Sequence, residues 1–96
     1  MDSIKNNSFP GNNIESMLNE YYNTNTPLLL SITHNSFTYT TIITNYYIMR
    51  YKDGIDICIS AGAASANLII PFTHTTINEN EIWYKEGDIT VILSPV

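Results

Sequence analysis

The sequence predicts an α+β fold that is mostly β. A short N-terminal helix precedes a five- to six-stranded antiparallel meander, strongly curved or closed into a small barrel. Three observations carry this. Apolar and polar residues alternate over much of Phe37–Ser60, the period of a half-buried strand. Asp53-Gly54 punctuates that stretch and predicts a tight turn with a positive φ. Ile14, Met17, Leu18, Tyr21 and Tyr22 recur at helical spacing, one apolar stripe.

Residues 1–11 read as a flexible arm, and 12–96 as a single small β-rich domain. Pro10-Gly11 is expected to break the chain before the first element. Asn12 is the expected N-cap of a helix over 13–22, with Glu15 completing a capping box. Ten residues are marginal alone, so the helix must pack on the sheet. A strand over 28–33 follows, with Leu28, Leu30 and Ile32 on one face. His34-Asn35-Ser36 is a turn.

The next run is long. Phe37, Tyr39, Thr41 and Ile43 share a face, and so do Tyr47, Met49 and Tyr51, but the parity slips near Thr44-Asn45. Such a slip predicts a β-bulge and a bent strand, which suits a curved sheet or barrel. After the turn, Ile55, Ile57 and Ile59 alternate with Asp56, Cys58 and Ser60. Ala61–Ala66 reads as a loop of small residues; it lacks the phosphate-binding GxxxxGK pattern. A strand follows over 67–72, with Pro71 marking an edge, a bulge or an end. Residues 81–85 and 89–93 form a final hairpin through Glu86-Gly87-Asp88. The order resembles Sm-like and PH-like small barrels in architecture alone; no motif identifies either family, and architecture does not give function.

Nine acidic groups against four basic give a net charge of −5, and only 14% of residues are charged. A surface so poor in Lys and Arg argues against non-specific binding of nucleic acid and suits a basic protein partner. No apolar run is long enough for a membrane-spanning helix. The first twelve residues lack the apolar core of a secretory signal. With Cys58 alone, no internal disulfide forms, and an intracellular, cytoplasmic location is expected.

The chemistry-bearing groups are sparse. His34 and His74 lack a third partner fixed by spacing, so no metal or cofactor is expected. Cys58 in mid-strand reads as a small packed residue, and no enzyme is predicted. Tyrosine is abundant, with seven copies, and Tyr and Trp suit interfaces. The candidate protein-interaction residues are therefore Tyr46, Tyr47, Tyr51, Trp83 and Tyr84, with the acidic run Glu79, Glu81, Glu86 and Asp88. Leu29, Ile42, Ile48, Ile69 and Ile92 make the second sheet face partly apolar, which one helix cannot also cover. Either the sheet curls or another chain, a homodimer mate or a partner, covers the rest.

The expected function is a small non-enzymatic protein-binding regulator or inhibitor. Viruses and mobile elements encode acidic proteins of this kind, and a basic, nucleic-acid-handling host protein is a natural target. The alternative is a small barrel binding RNA or single-stranded DNA, with Tyr46, Tyr47, Tyr51 and Trp83 stacking on bases. It requires Arg50, Lys52 and Lys85 to cluster beside the aromatics.

Overall fold

The computed structural model describes residues 10–96; the expected arm lies outside them, apart from Pro10 and Gly11. Those two open helix α1, Pro10–Asn23. The helix thus starts earlier than expected and Asn12 lies inside it. Pro10 fits because the first turn of a helix leaves its N–H groups unpaired, so a missing one costs nothing.

Eight strands follow: β1 Leu28–His34, β2 Phe37–Ile43, β3 Tyr46–Tyr51, β4 Gly54–Ala61, β5 Ala64–Pro71, β6 Thr75–Asn78, β7 Glu81–Glu86 and β8 Ile89–Pro95, with a 3-10 turn at Phe72–His74. The mostly-β, antiparallel class holds. The single meander and the barrel do not. The strands divide into a five-stranded sheet, β2-β1-β8-β7-β6, and a three-stranded sheet, β3-β4-β5. The parity slip at Thr44-Asn45 is the point where the chain leaves one sheet for the other, not a bulge in one bent strand. Ile43 ends β2 facing the core and Tyr46 begins β3 facing it again; both are buried.

All strand connections within a sheet are two-residue hairpins. Asn35, Gly62, Glu79 and Gly87 each occupy the first turn position at φ between 57° and 63°, as the primed hairpin turns require. The Lys52-Asp53 turn is the exception. Neither these residues nor Gly54 takes a positive φ, so the expected role of Gly54 is corrected. A Cβ there would lie 2.2 Å from the Ile70 carbonyl oxygen. Gly54 is needed for close approach of two strands. Ala61–Ala66, expected as a loop, is the tip of the β4–β5 hairpin, with Ala61 paired to Ala64.

The core lies between the sheets. Leu28, Leu30, Ile43, Ile82, Val91 and Leu93 come from the large sheet. Tyr46, Ile55, Ile57 and Ile70 come from the small one, and Ile14 and Leu18 from α1. Each fully buried aliphatic side chain contributes about 1.5–3 kcal/mol. Ile48 packs against this core; it belongs to the inner face, not to an exposed second face. Arg50 holds the helix to β3 through Glu15, Nη1 to Oε1 at 2.7 Å. The β1–β8 pairing, Leu28 with Pro95 through His34 with Ile89, joins the two ends of the domain. Among the described residues no helix is long and apolar enough to cross a membrane.

Candidate protein-docking face

The small sheet buries one face and exposes the other. Strand alternation sends Ile55, Ile57 and Ile59 inward, so Asp56 and Cys58 point out. Register then fixes their neighbours. Cys58 lies between Tyr47 and Asn67, Asp56 between Met49 and Ile69, and Gly54 between Tyr51 and Pro71. Tyr47, Met49, Tyr51 and Ile69 are each 45–50% exposed. They form two apolar flanks with a polar line along β4.

That line is ordered. The Asn67 amide donates to both Asp56 carboxylate oxygens, at 3.0 and 3.1 Å, and its nitrogen lies 3.4 Å from the Cys58 sulfur. A carboxylate is thereby held in place among aromatic and aliphatic groups. The neighbouring Cys58 is the main group pushing the Tyr47 phenol above its usual range, and the Asp56 carboxylate adds to the shift. The phenol stays a neutral donor at physiological pH. A fixed anion with two tyrosines diagonal to it on β3 can receive an ammonium or guanidinium by ion pairing, with the ring faces beside it as further contacts for the cation.

The sequence-derived candidates do not form one site. Tyr47 and Tyr51 lie together on this face. Tyr46, adjacent in sequence, is a correction: it is buried, with its hydroxyl donating to the Thr26 carbonyl at 2.6 Å and its ring edge-on to Tyr22. Burial also raises its pKa, with the nearby Tyr21 adding to the shift. Trp83 lies on the outer face of the large sheet, half-buried, its indole N–H donating to Glu81 at 2.9 Å. Ser94 donates to the other oxygen of Glu81 at 3.0 Å. Ile42, Leu29 and Ile92 share that outer face with Trp83. Tyr84 is on the opposite, core-facing side of β7 and donates to Glu86.

The acidic run is likewise divided. Glu79 is in the β6–β7 turn and Asp88 in the β7–β8 turn, at opposite ends of the strand Glu81–Glu86. At about 3.4 Å per residue these ends are roughly 17 Å apart. They do not make one patch with each other.

The residues missed as site members are Met49, Asp56 and Ile69. Their signal was present in the alternation: Met49 is two residues from both Tyr47 and Tyr51, and Asp56 is opposite in parity to the isoleucines. Only the pairing of β4 with both neighbours brings them together. The chain matches no protein-family profile, no curated protein and no solved structure.

Proposed function

We propose that this protein is a non-enzymatic, protein-binding regulator or inhibitor that holds a basic partner on the outer face of the three-stranded sheet. One observation carries the reading: the Asp56 carboxylate, clamped by Asn67, stands among half-exposed Tyr47, Met49, Tyr51 and Ile69. Rigid tyrosine rings supply contact area at low entropic cost, and the flexible Met49 thioether adapts to the surface it meets. A fixed central charge supplies selectivity for a lysine or arginine. The net charge of −5 favours the approach of a basic surface, such as the groove of a nucleic-acid-handling protein.

Direct nucleic-acid binding is the weaker reading. Arg50 is committed to Glu15 and lies over the Phe72 ring. Lys85 is on β7 of the other sheet, and Tyr46 is buried. Among the described residues, Lys52 in the β3–β4 turn is then the one basic group left beside the tyrosines, and it makes no cluster with Arg50 and Lys85.

The test is affinity capture with the tagged chain from host lysate, before and after nuclease treatment. Met49→Glu and Asp56→Asn chains run in parallel. A protein retained after nuclease, released by salt and lost with either variant supports the reading. Recovery that disappears with nuclease replaces it with nucleic-acid binding.

A further inference from the structure

The edge strand β2 bears no charge and no proline, and its sequence, FTYTTII, is strongly β-prone. Edges of this kind are usually blunted by lysine, proline or a bulge. Here the opposite holds: no Asp, Glu, Lys or Arg occurs anywhere from Tyr21 to Met49. In a chain of net charge −5, this is the stretch on which two copies can meet without repulsion.

The direction of the free backbone groups follows from the ladders. The Val96 N–H donates to the Pro27 carbonyl at 2.9 Å, so these two form a hydrogen-bonded pair at the end of the β1–β8 ladder. Hydrogen-bonded and non-bonded pairs alternate. Leu29, Ser31 and Thr33 therefore bond to β8, and Leu28, Leu30, Ile32 and His34 bond to β2. Their partners Ile43, Thr41, Tyr39 and Phe37 are thereby used. The N–H and C=O groups of Thr38, Thr40 and Ile42 point out from the edge.

We infer that a second copy of this chain pairs with that edge, antiparallel about a two-fold axis at Thr40. This register satisfies all three outward residues, Thr40 with its own copy and Thr38 with Ile42. It also sets Phe37 of one chain opposite Ile43 of the other, on the core-facing side. Phe37 is 64% exposed. Beside Ile43 there is a cleft of about 500 Å³, lined by Tyr39, Thr41 and Ile43 below and by Ile59 and Ala66 of the small sheet above. Each Phe37 ring fills the mate's cleft. The two sheets become one, and closure is built in: the outer edges that remain are β6, four residues long and bounded by Glu79. This interface is separate from the proposed docking face.

The test is sedimentation of the full chain across a concentration series. The wild type is expected at twice its 10.9 kDa mass. Phe37→Ala, at a position exposed in the monomer, weakens the dimer by about tenfold or more with an unchanged circular dichroism spectrum. Thr40→Lys and Thr40→Glu each yield monomers, because like charges face each other across the axis. Mixed together, they restore the dimer. A wild type that stays monomeric throughout, a dimeric Thr40→Lys chain, or a mixture that fails to pair overturns the proposal.

Discussion

Gly54 lies so close to the Ile70 carbonyl that a single added carbon would sit 2.2 Å from its oxygen. The obstacle is backbone, so no rotamer change relieves it. The paired strands β4 and β5 both supply core isoleucines, Ile55, Ile57 and Ile70. Gly54→Ala is therefore expected to cost about 3 kcal/mol, the range of overpacked core sites. Urea unfolding measures it. A loss below about 0.5 kcal/mol would show that the strands separate freely.

The Tyr46 hydroxyl and the Thr26 carbonyl, 2.6 Å apart, tie the start of the small sheet to the loop before β1. Burial raises the Tyr46 pKa, and it raises that of Tyr21 as well, with Glu20 adding to the shift. A folded pKa above the unfolded value, near 10, means that stability is fully present below about pH 10. It is lost as pH rises through the folded pKa, because the unfolded chain releases its protons first. Melting temperatures are expected to be flat from neutral pH to about 9.5 and to fall above it. Tyr46→Phe costs about 1 kcal/mol through the lost hydrogen bond and flattens the alkaline fall. An unchanged alkaline slope in that variant would refute the assignment.

How much of this was legible follows from the same residues. The alternation of Ile55, Ile57 and Ile59 with Asp56 and Cys58 gave the two faces of β4, and Glu86-Gly87-Asp88 gave the last hairpin. The helix stripe was readable, because Ile14 and Leu18 follow helical period. The division into two sheets was not. A one-residue parity slip near Thr44-Asn45 has one sequence signature, whether the strand bulges or changes sheet. What decides it is pairing between residues 28–34 and 89–95, which no local pattern encodes. The same holds for the site. Tyr46 and Tyr47 are adjacent tyrosines, and only the distant Thr26 carbonyl and the core distinguish the buried one. Met49 and Ile69 flank Asp56 through a three-strand register that local alternation cannot specify.

Glu79 takes φ 60° at the first position of the β6–β7 turn, a conformation costly for a residue with an ordinary side chain. The turn is otherwise well placed, since the neighbouring Asn80 carbonyl accepts from the Tyr21 hydroxyl at 2.7 Å. Asparagine tolerates this conformation without the unfolded-state entropy that glycine adds. Glu79→Asn is expected to stabilise the fold by about 0.5–1 kcal/mol, raising Tm by a few degrees. A lower Tm would show that the Glu79 carboxylate makes a contribution larger than the backbone cost.

The Arg50–Glu15 pair, 2.7 Å apart and half exposed on the arginine side, separates stability from charge. The guanidinium also covers the Phe72 ring, 5.4 Å from its centroid. Solvent screening limits such a pair to roughly 0–1 kcal/mol, whereas the ring contact survives salt. Glu15→Gln is therefore expected to cost under about 1 kcal/mol, and less at high salt. Arg50→Ala should cost more than Glu15→Gln, because it also removes alkyl and cation–ring packing. Chemical denaturation of both variants at two urea-compatible salt concentrations tests this. Equal losses would mean that the ring contact contributes nothing. A loss for Arg50→Ala that vanishes with salt would mean that the arginine acts through its charge alone.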